Sequence, residues 1–332
     1  MKILFIGGTG TISSAISKSL LKSGHELYLL NRGNKNDEFC GAKFITADIH
    51  NEADVVSKIS GHHFDVVADF IAFTPDDVKR DYRLFCGKCD QYIFISSASA
   101  YEKPPKSHII TEKTPLVNPF WSYSQNKADC EDYLFERYRI DKFPVTVVRP
   151  SHTYSERSIP TALHGNKGAY SVIKRIINEQ PVIIPGDGES LWTLTFNTDF
   201  APLFIAIMGQ TTAVGEAFQI TSDESLTWNE IYHTIAAAYG KKLNPLYMTS
   251  KNIVEFGRKF GYDFEGGLLG DKSNSVIFDN SKVKAYLPDY ETKTPFSKGV
   301  AKCVEYIYAH PDCQIEDEEF DRFCDEAAKA YM

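Results

Sequence analysis

Lys2-Ile3-Leu4-Phe5-Ile6-Gly7-Gly8-Thr9-Gly10-Thr11-Ile12-Ser13 is the stretch that decides the fold. Lys2–Ile6 reads as a short apolar strand, and Ile12–Leu21 repeats its apolar residues at helical spacing. Between them lies a run of glycines. A glycine-rich turn from strand to helix is where a dinucleotide pyrophosphate is cradled. Glycines let the backbone turn tightly and approach the phosphates, and the helix N-terminus offers N–H groups and a positive dipole end. The match is Gly7-x-x-Gly10-x-x-Ser13, equally Gly8-x-Gly10-x-x-Ser13, in which Ser at the third small position still permits close helix–strand packing.

Working outward, strands and helices alternate. Glu26–Leu30, Lys43–Thr46, Asp65–Ala68, Gln91–Ile95 and Val145–Val148 read as strands. Ala53–Ile59, Asp76–Phe85 and Tyr123–Tyr138 read as helices between them. Such alternation means crossover connections and a parallel sheet covered on both faces. The fold class is therefore α/β: a Rossmann-type doubly wound parallel sheet with a smaller C-terminal substrate-capping lobe. We expect the dinucleotide-binding domain over 1–150, with return segments near 190–225, and a discontinuous substrate lobe over most of 151–332.

The second half has a different texture. Helices are expected at Ala169–Asn178, Asp199–Met208 and Trp228–Tyr239, with a strand at Ala217–Thr221. Gly257–Ser275 holds five glycines and reads as loop-rich and mobile. Asp317–Ala330 reads as a last helix whose Phe320, Phe323, Cys324, Ala327 and Tyr331 form one stripe for docking onto the body.

Composition narrows the class. Hydrophobic residues at 43% and charged residues at 24% exclude wholesale disorder. A formal net charge of −8 argues against a nucleic-acid partner, because phosphate affinity comes from clustered Lys and Arg. No apolar run approaches the roughly 20 residues that span a bilayer, so no membrane partner is expected. The first strand begins at residue 2, leaving no room for a signal peptide. Seven cysteines without framework spacing fit a reducing cytoplasm and mostly buried thiols. Cys86-Gly87-Lys88-Cys89 has metal spacing but no second pair, so it reads as a turn and no metal is expected.

The second strand ends Leu30-Asn31-Arg32-Gly33, where an acidic side chain would read the adenosine ribose and repel a 2′-phosphate. Asn31 lacks that charge and Arg32 can fork onto a phosphate, which favours NADP(H) over NAD(H). Asp48, ending the third strand, can accept from the adenine amino group. Gly7, Gly8, Thr9, Gly10, Thr11, Ile12, Asn31, Arg32, Asp48, Ile49, Phe70 and Lys127 make up the expected cofactor-contact set.

Tyr123-Ser124-Gln125-Asn126-Lys127 places a phenol and an ammonium on one helix face. A phenol near its reference pKa of about 10 is a poor base at neutral pH. A neighbouring ammonium favours phenolate, and the same Lys127 can hold the nicotinamide ribose hydroxyls. The preceding strand runs Ile95-Ser96-Ser97-Ala98-Ser99-Ala100-Tyr101 at the sheet edge where ligands bind in open α/β folds. A Ser hydroxyl there can hydrogen-bond the substrate oxygen whose proton Tyr123 handles.

Taken together, these residues resemble the extended short-chain dehydrogenases/reductases, the NAD-dependent epimerase/dehydratase group. The resemblance rests on Gly7–Ser13, Asp48, Ser96-Ser97 with Tyr101, Tyr123-x-x-x-Lys127, Val148-Arg149-Pro150, Gly186-Asp187-Gly188 and Asp199. It implies that Ser97 polarises the substrate, that Tyr123 is the acid/base and that Lys127 is its electrostatic partner. It further implies hydride transfer at the nicotinamide and a homodimer.

Two departures bear on the substrate. The group's usual Arg-Pro-x-Asn-x-x-Gly is here Arg149-Pro150-Ser151-His152-Thr153-Tyr154-Ser155, with His152 in the Asn place. Its Gly-Asp-Gly-x-Gln-x-Arg is here Gly186-Asp187-Gly188-Glu189-Ser190-Leu191-Trp192, with Trp192 replacing the Arg that pairs with a substrate diphosphate. An indole offers an apolar face for a sugar ring and one N–H donor. The sequence thus points to an NAD(P)-dependent oxidoreductase or epimerase acting at a carbinol/ketone carbon of a sugar-like small molecule. A standard nucleoside diphosphate sugar is not expected. Tyr101, His152 and Trp192, with His164, are the candidate substrate contacts. The Leu30-Asn31-Arg32-Gly33 turn and Val67-Ala68-Asp69-Phe70 also resemble a divergent branch that includes the chloroplast stem-loop-binding proteins. The alternative is therefore a catalytically divergent dinucleotide-binding or RNA-associated protein on the same fold.

Overall fold

A computed structural model describes residues 1–33 and 38–331. The chain runs β1 (Lys2–Ile6), α1 (Ser13–Lys22), β2 (Glu26–Asn31), β3 (Lys43–Thr46), α2 (Glu52–Ile59), β4 (Phe64–Asp69), α3 (Pro75–Phe85) and β5 (Cys89–Ile95). It continues through α4 (Ser122–Asp141), β6 (Val145–Pro150), α5 (Tyr170–Ile177), α6 (Asn197–Ile207), β7 (Ala217–Ile220) and α7 (Trp228–Ala238). These elements agree with the sequence-based boundaries to within a few residues. Local chemistry sets the starts of α3 and α7. Thr74 with Asp77 and Thr227 with Glu230 each form a reciprocal capping box, and Pro75 opens α3 with its φ already preset.

Seven strands form one parallel sheet in the order β7-β6-β5-β4-β1-β2-β3. Strands buried on both faces read as continuous apolar runs, as Ile3–Ile6 and Val66–Ala68 do. Phe5, Ile16, Leu20, Phe200 and Phe204 fill the face under α1 and α6. Val55, Ile59, Val78, Leu84, Cys130 and Leu134 fill the face under α2, α3 and α4. The strand order reverses between β1 and β4, which opens the crevice where α/β sheets bind ligands.

A third apolar cluster packs apart from the sheet. Ile173, Ile183, Trp192, Trp228, Tyr232, Phe296, Phe320 and Phe323 belong to it. Between its segments the chain returns to the sheet through α6 and β7. The C-terminal helix Glu318–Tyr331 buries Phe320, Phe323, Cys324 and Ala327 there, while Tyr331 stays at the surface with its ring 5.8 Å from Phe256.

One expectation fails in this region. Residues 257–275 are not an open loop: Ser250–Arg258 is a helix, and Glu265–Gly267 and Leu268–Lys272 wind as further helical turns. The glycines serve close approach instead. A Cβ on Gly266 would collide with the indole of Trp121, so this stretch can lie flat against the start of α4. Asn118 fixes it there, its Nδ2 donating to the carbonyls of Gly270 and Ser99, both at 2.7 Å.

Candidate active site

The crevice beside β1 is a cavity of about 430 Å³ lined by Gly7, Asn31, Arg32, Asp48, Ile49, His50, Ile71, Phe73 and Asp77 among others. Gly7 holds φ +76°, and a Cβ there would sit 2.5 Å from Ile71 Cγ2, so only glycine keeps this wall open. No side chain caps the N-terminus of α1. Ser13 instead bonds within the turn, donating to Gly7 O at 2.8 Å and accepting from Gly10 N–H at 2.9 Å. Asn197 Nδ2 donates to Thr11 O at 3.0 Å, tying the turn to α6. Asn31 Oδ1 accepts from Gly33 N–H at 2.8 Å, while its Nδ2 is buried with no acceptor among the described residues. An uncapped helix start, a glycine cradle and an orphaned donor beside exposed Arg32 suit a dinucleotide.

Phe70 does not join this wall. Its ring lies 5.1 Å from Phe5 and 5.8 Å from Phe204, in the core on the opposite side of the strand end, and Ile71 and Phe73 line the crevice instead. The chain bends here, with Asp69 Oδ1 accepting from Ile71 N–H at 2.6 Å and from Ala72 N–H at 2.9 Å, and this turn puts Phe70 and Ile71 on different sides.

A second cavity of about 270 Å³ lies between the sheet edge and the third cluster. Ser97, Ser99, Trp121, Tyr123, His152, Trp192, Thr193, Asp271 and Lys272 are on its wall. Here the first turn of α4 brings Tyr123 to the end of β5, onto the same cavity wall as Ser97. Ser97 Oγ also lies 2.8 Å from Ser99 Oγ, which accepts from Ser124 Oγ at 2.8 Å.

One turn along α4, Lys127 is buried. Its ammonium donates to Ala72 O and Ile95 O, both at 2.7 Å, and sits between the rings of Phe73 and Phe94. Burial pushes its pKa down to about 8, against the pull of nearby acids. The expected depression of the phenol is not seen. Burial holds Tyr123 above its ordinary value, the nearby Ser97 hydroxyl opposes that rise, and the Asp271 charge adds to it. With two of three N–H groups spent on carbonyls, Lys127 faces the loop after β4 more than the phenol.

Tyr101 does not line the cavity at Tyr123. The short helical turn Ala98–Ala100 swings it inward to 1% exposure, under the guanidinium of Arg149. Its hydroxyl donates to Gln219 Oε1 at 3.0 Å and accepts from Arg149 Nη1 at 3.2 Å. Arg149 in turn clasps buried Glu131 of α4 with Nε at 3.0 Å and Nη2 at 2.6 Å. This network bolts α4 to β6 and β7. Ser96 Oγ donates to the same Glu131 carboxylate, which leaves Ser97 as the hydroxyl facing the cavity.

His152 and Trp192 do face the cavity. Leu194 pairs with His152 across two short parallel strands, and the Trp192 ring stacks on Trp228 at 5.5 Å. Burial lowers the His152 pKa to about 3, with the Lys272 charge adding to it, so the ring is neutral. His164 lies elsewhere, on a neighbouring cavity, with Nδ1 2.8 Å from Gly165 O. Asp271 and Lys272 escaped the sequence reading because they sit in the glycine-rich stretch taken for a loop. Cys86 and Cys89 hold a turn, with the Cys89 thiol donating to Phe85 O at 3.7 Å, and no metal-binding cluster exists among the described residues. Among those residues, no helix is long and apolar enough to cross a membrane.

Comparison with known proteins agrees with this architecture. The chain is 26% identical over 280 residues to the chloroplast stem-loop binding protein of 41 kDa b of Arabidopsis thaliana, covering 79% of this chain and 70% of that one. It is 28% identical over 168 residues to a UDP-glucose 4-epimerase of Lactobacillus helveticus, 45% of this chain and 51% of the relative. The structure of UDP-glucuronic acid 4-epimerase from Bacillus cereus, in complex with UDP-glucuronic acid and NAD, superposes with a TM-score of 0.73 at 20% identity. That match covers 93% of this chain and 99% of that one. The profile of the NAD dependent epimerase/dehydratase family matches residues 3–221, so the chain belongs to that family of NAD-dependent enzymes.

Proposed function

We propose that the chain transfers hydride at a carbinol or ketone carbon of a sugar-like substrate held in the cavity at Tyr123. The observation that carries this reading is that Ser97 and Tyr123 stand together on the wall of one cavity, with Lys127 one turn further along the same helix. A nicotinamide dinucleotide supplies the hydride acceptor or donor when bound. Gly7–Ile12 and the open start of α1 would hold its phosphates, and Asn31, Arg32, Asp48 and Ile49 its adenosine end.

The chain's own groups do the rest. Ser97 donates to the substrate oxygen and fixes its place. Tyr123 takes the hydroxyl proton as the carbinol is oxidised, or returns it to the carbonyl oxygen on reduction. Lys127 has one N–H left beyond Ala72 O and Ile95 O. That N–H, with the ammonium charge, is positioned to favour phenolate once the site is filled and dry. Neutral His152 acts as a hydrogen-bonding group and not as a charge.

Trp192 in place of a guanidinium supports a substrate other than a nucleoside diphosphate sugar, since a diphosphate loses its bidentate partner. The test is a panel of free sugars, glycosides and nucleoside diphosphate sugars followed at the reduced-nicotinamide absorbance. Turnover of free sugars or glycosides is expected. A preference for UDP-glucose would overturn the substrate half of the reading, and absence of any turnover with dinucleotide bound would overturn the whole.

Asn31 and Arg32 support NADP(H). Charge-assisted hydrogen bonds contribute about 1.5–3 kcal/mol, so Arg32→Glu should weaken NADPH roughly 10- to 100-fold and NADH little. Calorimetric titration of both dinucleotides checks this, and equal losses would refute it. A second reading, an RNA-associated protein, draws on the likeness to the stem-loop binding protein. The net charge of −8 weighs against it.

A further inference from the structure

Lys272 is held as a fixture. Its carbonyl accepts from Trp228 Nε1 at 3.0 Å and from Ser190 Oγ at 3.3 Å, and the neighbouring Ser275 Oγ accepts from Leu191 N–H at 3.0 Å. The segment that carries Trp192 in place of an Arg is therefore the segment to which Lys272 is fastened. Its ammonium lies 5.8 Å from the centre of the Trp192 ring, and no hydrogen bond or ion pair among the described residues engages it. The Trp192 Nε1 beside it is buried with no acceptor among the described residues, while Lys272 itself is half-buried. Donors without acceptors are costly unless a ligand supplies the acceptor.

Position adds to chemistry. Lys272 and Trp121 line both the cavity at Tyr123 and a second one of about 410 Å³, whose wall includes His164, Asn166, Tyr262 and Phe264. Among the described residues lining the two, Lys272 is the single Lys or Arg. Asp271 does not cancel it, because Lys103 Nζ stands 4.0 Å from the Asp271 carboxylate. Lys103 and Lys272 share Asp271, and the other carboxylate on these walls, Asp263, is exposed at the second cavity, so Lys272 is the cation a ligand meets where the two join.

We infer that Lys272 binds a single oxyanion group of the substrate, a carboxylate or a phosphoryl group, where the two cavities meet. The inference rests on the sugar-like reading above and adds the anionic group to it. The reacting ring occupies the cavity at Tyr123, and the oxyanion sits at its far end against Lys272. A second phosphate would find no further cation on these walls, which separates this class from a diphosphate.

The test is tryptophan fluorescence titration of the full chain, saturated with NADPH, using glucose, glucuronate, glucose 1-phosphate and UDP-glucose. Glucuronate or glucose 1-phosphate should bind about 10-fold or more tighter than glucose, in line with a charge-assisted contact. The tighter of the two identifies the source of the oxyanion. Lys272→Met should erase that difference, Lys272→Arg should keep most of it, and NADPH affinity should stay the same in both variants. Equal binding of glucose, a preference that survives Lys272→Met, or tightest binding of UDP-glucose independent of Lys272 would each overturn the inference. Because binding is read without turnover, a failure of the hydride-transfer reading shows up separately, in the absorbance assay.

Discussion

Tyr123→Phe is expected to lower kcat by about 10²- to 10⁴-fold, the range for losing a positioned proton-transfer group. Phenylalanine keeps the ring and its contacts with Trp121 and Phe73, whose ring centres lie 5.0 and 6.4 Å away. Only the hydroxyl on the wall it shares with Ser97 is lost. Dinucleotide affinity should therefore stay within a factor of two or so of the wild type, since Tyr123 is not on the wall of the crevice at Gly7. Steady-state rates together with a dinucleotide titration separate the two effects. An unchanged kcat would remove Tyr123 from the chemistry.

Arg149→Met should be the most damaging single change to stability. Glu131 is 1% exposed and has Arg149 as its counter-charge, and Tyr101, Gln219 and Ser96 join the same network. Breaking a buried pair by removing one partner costs about 3–5 kcal/mol, against a typical total of roughly 5–15 kcal/mol. For a chain of this size the melting temperature should fall on the order of 10 °C. Adding Glu131→Leu to Arg149→Met removes the stranded charge and should recover most of the loss. Thermal unfolding of the single and double variants decides it; a double variant no better than the single would show that packing, not charge, is what Arg149 supplies.

Much of the sheet half was legible, for a physical reason. Its strands are apolar runs, its helices are amphipathic, and the turn at Gly7–Ser13 announces itself by residues that only a tight approach requires. The Tyr123 and Lys127 pair is legible because helical geometry alone brings the two together. Phe70 and Tyr101 lie off the cavity walls, because each follows a strand end, where a single turn of backbone decides which side a ring takes. Asp271 and Lys272 were missed for a different reason. Residues 148 and 149 positions beyond Tyr123 reach its cavity only because Asn118, Ser190 and Trp228 hold that segment in place, and such contacts leave no periodic trace. The ammonium of Lys127 was expected to face the phenol. Two backbone carbonyls compete for it, and carbonyls are not written in side-chain patterns.

The return of the chain to the sheet through α6 and β7 has a consequence for autonomy. A fragment ending at residue 150 would contain the glycine turn, Ser97, Tyr123 and Lys127. It would lack Phe200, Leu203 and Phe204 of α6, which share with α1 the covering of one face of the sheet, and Phe218 of β7. It would also lose the strand that pairs with β6 from Val147 to Pro150. Neither half is a detachable module, so a fusion, split or exchange made at the apparent boundary would part a core from its cover. Because β6 can pair with β7 only after a long intervening segment has been laid down, the two halves must also mature together. The sheet and its core are complete only with residues from beyond position 150.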